Sequence, residues 1–305
     1  MNHLRYASSM FSDRTKGEYS AYGTAILWSL FPVVTVLTVK GLSPLFTASI
    51  ATAFSALFFA CMISFRRGWS QLKRREAWRD MLLATFFIGI IFYALVFTGY
   101  RFTSAGNGAV VGLMEIFFTF LIINILLKHE RFDPMDALGA FLMVIGALFV
   151  LLPSRSDPWN IGDLLILLST MSPPLGNMFA KRARKIVNAE TLMFVRSAVS
   201  APFLLLLAFL FEEVPSASAL QSSLPYLLLS GIVLLGFSKI LWIEAIYRLP
   251  IAKTMALTEV GVLLTLFFAY VFLDQPATLK QIIGALPMMF GLFLLTKKTE
   301  EIGQI

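Results

Sequence analysis

The chain has 305 residues, 58% of them hydrophobic and only 14% charged, against about 25% charged in an ordinary soluble domain. This composition excludes a soluble globular protein and points to a polytopic membrane protein, in which ten spans of about 20 residues leave only short loops. The net charge of +7 is no nucleic-acid signal, because lysines and arginines gather at the ends of apolar runs. Cys61 is the single cysteine, so no intrachain disulfide is expected; His3 and His129 lie too far apart to suggest a zinc site.

In chain order, the first twenty residues are polar and mixed in charge, with no apolar core of the kind a cleavable signal peptide carries. Ten helices are then expected: Ala21–Val39, Pro44–Phe65, Asp80–Thr98, Thr103–Leu127, Pro134–Leu152, Gly162–Ala180, Glu190–Phe211, Leu224–Tyr247, Pro250–Phe272 and Ala277–Thr296. Pro44, Pro134 and Pro250 suit first helical turns, and Asp80 and Asp163 sit at helix starts, where negative charge is favourable. Alternating loops place eighteen Lys and Arg on one side and three on the other, with Arg196, Lys239, Lys253 and Lys280 inside helices. That asymmetry puts both termini in the cytoplasm.

The sequence repeats itself. LMEIFFTFLIINILLKHERF from Leu113 answers LTEVGVLLTLFFAYVFLDQP from Leu257, so Glu115 matches Glu259 and Glu130 matches Asp274. Helices with glycines seven apart follow, Gly139 and Gly146 against Gly284 and Gly291, as expected for close helix packing. Two halves of five helices each must run in opposite directions. The expected organisation is a tail over 1–20, repeats over 21–152 and 162–296 joined at the turn-rich Pro153–Ile161, and a tail over 297–305.

Glu115 falls near mid-membrane, where a carboxylate costs roughly 2.5–3.5 kcal/mol without a partner, a proton or water. Helical spacing puts it on a small, polar face with Ser104, Gly108, Gly112 and Thr119. It is expected either to meet substrate or a coupling proton, or to pin two helices structurally. Glu259 lies on a more apolar face, and a structural role is the stronger expectation there. Lys239 lies deep in helix eight and is expected to face inward. Arg196, about seven residues into helix seven, is expected to snorkel to the membrane surface, and Lys253 and Lys280 to be interfacial. Pro32 interrupts helix one, and Pro173 and Pro174 interrupt helix six, at equivalent places in the two halves. Matched interruptions free backbone carbonyls and point to a transport site, with Trp28, Ser29, Thr35, Ser169, Ser172 and Asn177 nearby; kinks that only aid packing are the alternative. Tyr93 and Trp242, inside helices three and eight, line an aromatic cavity or pack the core. No nucleophile elbow, zincin, Walker or dinucleotide motif occurs, so neither catalytic residues nor a cofactor or metal is expected.

The run TSAGNGAVVGLMEIFFTFLIINILLKHERFDPMDALGAFLMVIGALFVL resembles the carboxy-terminal part of an EamA repeat of the drug/metabolite transporter superfamily. PIAKTMALTEVGVLLTLFFAYVFLDQPATLKQIIGALPMMFGLFLL resembles the same part of a second repeat, and GDLLILLSTMSPPLGNMFAKRARK its opening. Where that family commonly shows Glu-Pro, this chain has Glu115-Ile116 and Glu259-Val260; the acidic pair that follows is His129-Glu130 and Leu273-Asp274 here. The resemblance implies an all-α polytopic membrane protein of ten transmembrane helices in two inverted five-helix repeats, most often an exporter. It implies a cavity lined by helices one, three, four, six, eight and nine, which carry Trp28, Tyr93, Glu115, Asn177, Lys239, Trp242 and Glu259. Arg196, on helix seven, falls outside that set.

The function expected is secondary transport of a small metabolite, such as an amino acid or nucleoside-like compound, by alternating access; efflux of amphipathic drugs is the alternative. The expected partners are that substrate, the lipid bilayer of the cytoplasmic membrane and a proton or counter-substrate, with no nucleic acid and with a monomer or homodimer as the assembly. A membrane enzyme acting on lipid and a non-transporting receptor are the remaining rivals.

Overall fold

The computed structural model describes residues 2–122, 134–153 and 160–302, and side chains within 13–122, 134–135, 137–153, 160–250 and 253–295. The end of the fourth expected helix at Leu127, His129-Glu130 and most of the 153–161 loop lie outside the described residues. Every regular element described is helical. They run α1 Asn2–Trp28, α2 Phe31–Gly41, α3 Pro44–Phe65, α4 Arg75–Ala84, α5 Tyr93–Phe102, α6 Ala105–Gly112, α7 Met114–Phe120, α8 Pro134–Leu151, α9 Ile161–Ser169, α10 Pro173–Arg184, α11 Ala189–Phe211, α12 Ala217–Leu228, α13 Ser238–Arg248, α14 Ile251–Glu259, α15 Gly261–Leu273 and α16 Leu279–Ile302. Six helical stretches are long and apolar enough to cross a membrane, and shorter apolar helices cover Ala105–Phe120, Ala137–Leu151 and Leu279–Leu295. With no water in the hydrocarbon to satisfy backbone groups, helices of this kind are the structure such a sequence can adopt there.

Several boundaries differ from expectation, among them the eighth helix, which starts at Ala217 rather than Leu224, and the tenth, which runs to Ile302 rather than Thr296. The first helix starts at Asn2 rather than Ala21, because the polar opening continues the helical path. The third starts at Arg75, so Asp80 lies in its second turn and Glu76 is the acidic residue of its first.

Four interruptions shape the interior. The chain breaks at Ser29–Leu30, just before Pro32 in α2, and at Thr170–Ser172, just before Pro173 in α10. It breaks again at Leu113, between α6 and α7, and at Val260, between α14 and α15. No proline stands at the second pair; Gly112 and Gly261 flank those turns instead. Two π-helical stretches, Thr85–Phe92 and Leu229–Phe237, join α4 to α5 and α12 to α13. Such π segments are frequent at functional sites.

The helices cross pairwise in opposite directions. On α8 and α16, a Cβ built on Gly139 would lie 2.9 Å from the carbonyl oxygen of Gly291, and one on Gly284 would lie 3.0 Å from that of Gly146. Backbone therefore meets backbone along the seam, and the rising number on one helix meets the falling number on the other. Ser49 donates to the carbonyl of Ala201 and Ser55 meets Ser197 at 3.1 Å, which sets α3 against α11 in the same sense. The first helix packs against α13, with Gly23 beside Leu241 and Trp28 bonded to Ser238, while α9–α10 pack against α4–α5, with Gly99 beside Ile166 and Gly176 beside Ile88. These contacts join the early part of the chain to the late part. The broken parts of both meet around one central space.

Candidate functional site

That space is a cavity of about 150 Å³, room for roughly five waters at their liquid volume. All seven side chains expected from the sequence line it: Trp28, Tyr93, Glu115, Asn177, Lys239, Trp242 and Glu259. Pro32 and Pro173 line it too, whereas Pro174 is buried behind them. The helix breaks set the walls. Turning the chain at Ser29 ends α1 with Trp28 against the cavity, and turning it at Leu113 and Val260 brings Glu115 and Glu259 to its edge.

An aromatic relay runs through the site. Trp28 and Trp242 have ring centroids 4.8 Å apart. Trp28 Nε1 donates to Ser238 Oγ at 2.9 Å, and Trp242 Nε1 donates to Asn177 Oδ1 at 3.1 Å; an indole can only donate, so each buried N–H needs such an acceptor. Asn177 in turn points its amide nitrogen at Glu115 Oε1, 3.5 Å away. At the other end of the relay, Lys239 Nζ sits 3.6 Å from the centre of the Trp28 ring, a cation held on a π face. Ammonium and carboxylate therefore face the same cavity with two indoles and an amide between them. Among the described residues no ion pair joins Glu115 or Glu259 to Lys239 or Arg196.

The structure corrects the expectation for Arg196. It does not snorkel: it is 3% exposed and lines the cavity, its Nη2 donating to Tyr93 Oη at 3.1 Å. The set implied by the family resemblance omitted it because it stands on the seventh expected helix. The signal for its orientation was local. Ser197 and Ser200 share the inner, buried side of α11, and Ser200 Oγ bonds the Arg196 carbonyl. Glu259 lines the cavity, with no hydrogen-bond partner among the described residues. Tyr100 and Thr258 complete the wall and were not anticipated. Gly108 makes room for the Tyr100 ring, since a Cβ there would meet its edge. Of the polar face predicted for Glu115, Gly108 and Gly112 line the cavity, Thr119 bonds the Glu115 carbonyl, and Ser104 caps α6 through the Asn107 amide.

Outside the cavity, several charged residues are paired. At one end Glu244 takes Arg184 and Arg248, Arg248 reaches Asp13, and Lys253 and Arg14 share Glu18. At the other, Asp163 accepts from Thr103 and from Asn107 Nδ2, and Gln281 donates to Asn107 Oδ1 at 2.8 Å. Lys253 is buried and paired with Glu18, and Lys280 bonds the Leu152 carbonyl. No cluster able to hold a metal occurs among the described residues.

Comparison with known sequences decides the family. The sequence model of the EamA-like transporter family matches residues 15–152 and again 160–297. The chain belongs to the EamA-like transporter family. The "Uncharacterized transporter YoaV" of Bacillus subtilis is 24% identical over 279 residues, 89% of this chain and 93% of that protein. An "Uncharacterized transporter" of Archaeoglobus fulgidus is 22% identical, over 90% of this chain and 96% of its own. A shorter match of 84 residues, at 29% identity, is to the "Probable 4-amino-4-deoxy-L-arabinose-phosphoundecaprenol flippase subunit ArnE" of Yersinia pestis, covering 28% of this chain and 73% of that one. A solved crystal structure aligns with a TM-score of 0.69 at 15% identity, over 94% of this chain and 99% of its own, which is likeness of fold. This EamA-like chain is a multi-pass membrane protein of a transporter family.

Proposed function

We propose that this EamA-like protein is a secondary-active transporter that exports a small mixed-charge metabolite, such as an amino acid or nucleoside-like compound, across the cytoplasmic membrane. It does so with ten spans in two inverted repeats, 21–152 and 162–296, and with tails over 1–20 and 297–305 in the cytoplasm. The observation that carries the reading is the cavity, where two carboxylates beside helix breaks and two cations line common space without ion pairs between them. Groups so costly in a membrane interior persist where a polar ligand or water meets them. The antiparallel crossings of α8 on α16 and α3 on α11 support opposed repeats, and a site between opposed repeats suits rocking of one against the other. The absence of a nucleotide-binding motif in the sequence favours a drive from substrate, proton or counter-substrate gradients, and no enzymatic role.

The test is a thermal-shift screen of detergent-purified protein against amino acids, nucleosides, organic anions and amphipathic cations, followed by flux of any hit in proteoliposomes. A shift confined to one class raises stability by mass action, and flux of that class confirms transport. Binding without flux, or no response and no flux across the panel, overturns the reading. The double-indole wall favours one second reading, efflux of amphipathic cations, which a response to those alone would select.

A further inference from the structure

We infer that Arg196 is the anion receptor of the cavity and selects for a substrate bearing a carboxylate. Taken with the transport reading above, on which it rests, this assigns Lys239 a different part. In this structure the Lys239 ammonium is engaged by the Trp28 face at 3.6 Å. The Arg196 guanidinium has most of its donors unused. It is 3% exposed, yet its one hydrogen bond among the described residues is from Nη2 to Tyr93 Oη, and its Nε is buried with no acceptor. Arg196 also lies over the Tyr93 ring, its Cζ 5.8 Å from the centroid. A guanidinium has five donors and no acceptor in a fixed planar fork. Here most of that capacity faces no protein oxygen, and no carboxylate of the described chain pairs with it.

The surroundings hold the fork in place rather than satisfy it. The Arg196 stem runs beside Gly89 in the first π-helical stretch, where a Cβ would come 3.3 Å from Arg196 Cγ. The Tyr93 hydroxyl fixes one edge of the guanidinium. Beyond the Nη2 bond to Tyr93, a carboxylate entering the cavity would meet a guanidinium with donors to spare, and a charge-assisted hydrogen bond of that kind is among the strong ones. Glu115 and Glu259, on α7 and α14, are then left for a cationic group on the same substrate, and the Trp28 and Trp242 rings for its apolar part.

The experiment uses full-length protein in detergent, with phenylalanine, leucine and arginine as probes. Each is run beside its decarboxylated amine and its deaminated acid, against wild type, Arg196→Gln, Arg196→Lys and Tyr93→Phe, with flux of the same probes in proteoliposomes. In the wild type, the amino acid or its deaminated acid is expected to bind at least tenfold more tightly than the amine. Arg196→Gln should abolish that preference while the amine still binds, which also shows that the variant is folded. Arg196→Lys should restore part of it, and Tyr93→Phe should reduce it by a smaller factor. Equal binding of amine and amino acid by the wild type, or a preference unchanged in Arg196→Gln, overturns the inference while leaving transport standing, provided any probe is moved. Loss of all binding in Arg196→Gln and Arg196→Lys alike marks a structural residue and also overturns it. If none of the nine probes binds or crosses, both the inference and the amino-acid reading fall.

Discussion

The ammonium of Lys239 lies 3.6 Å from the centre of the Trp28 ring, and the same indole donates to Ser238, the residue before Lys239. Helix α1 is thereby tied to α13 at the point where both face the cavity. The contact is made between the two halves of the chain, so any motion of one half against the other must keep or break it.

Lys239→Met tests that contact directly. A desolvated cation–π pair contributes about 2 kcal/mol, but burying an ammonium is itself costly, so the apparent melting temperature should change little. Flux should fall at least tenfold if the charge serves substrate. Unchanged flux would make Lys239 a packing residue.

Asn177 bridges Trp242 and Glu115, and its loss should differ in kind from loss of the Glu115 charge. Asn177→Ala leaves the Trp242 N–H without an acceptor, at a cost of about 1–3 kcal/mol. Glu115→Gln keeps an oxygen for the Asn177 amide, so stability should hold within about 0.5 kcal/mol while substrate binding weakens. Melting curves with and without ligand separate the two effects. Equal destabilisation in both variants would place Glu115 in a structural role.

Much of this site was legible in the sequence because membrane burial is unforgiving. A lysine or carboxylate far inside an apolar run has few destinations, and Pro32 and Pro173 mark breaks by removing backbone donors. That is why Glu115, Lys239, Asn177 and Glu259 stand out by residue type and depth alone. Arg196 was harder, since depth alone cannot separate a side chain that climbs to the surface from one that turns inward; the face of α11 decides it. The breaks at Leu113 and Val260 left no proline to find, and only the adjacent Gly112 and Gly261 hinted at them. The π-helical stretches carry no local signature beyond glycines in apolar runs, because their geometry is imposed by the helices packed on either side.

The paired charges at the basic end make a separate prediction. Glu244 holds Arg184 and Arg248 at 2.5 and 3.0 Å, with side chains about a fifth exposed. Glu244→Gln leaves two guanidiniums facing each other with one charge fewer between them. It should destabilise by about 1–3 kcal/mol, and added salt should recover part of the loss by screening the repulsion. A melting temperature insensitive to both the substitution and salt would show that the cluster contributes little.

Two glycines with the same substitution should behave oppositely. On the α8–α16 seam, a Cβ at Gly139 would stand 2.9 Å from the Gly291 carbonyl oxygen and 3.0 Å from Leu295 Cγ. Backbone cannot swing aside as a side chain can, so Gly139→Ala should part the helices and cost about 1–3 kcal/mol. Gly112 is the other case. A Cβ there meets nothing within 4 Å, and its backbone is not in the left-handed region. Gly112→Ala should be neutral, or stabilising by up to about 1 kcal/mol through reduced freedom of the unfolded chain. Because Gly112 lines the cavity, the added methyl intrudes where substrate is proposed to sit, and flux should fall although the protein melts no earlier. Thermal melting and proteoliposome flux on both variants check the pair. A Gly112→Ala protein that transports normally would move the substrate away from this wall, and a Gly139→Ala protein of unchanged stability would show that the seam has slack.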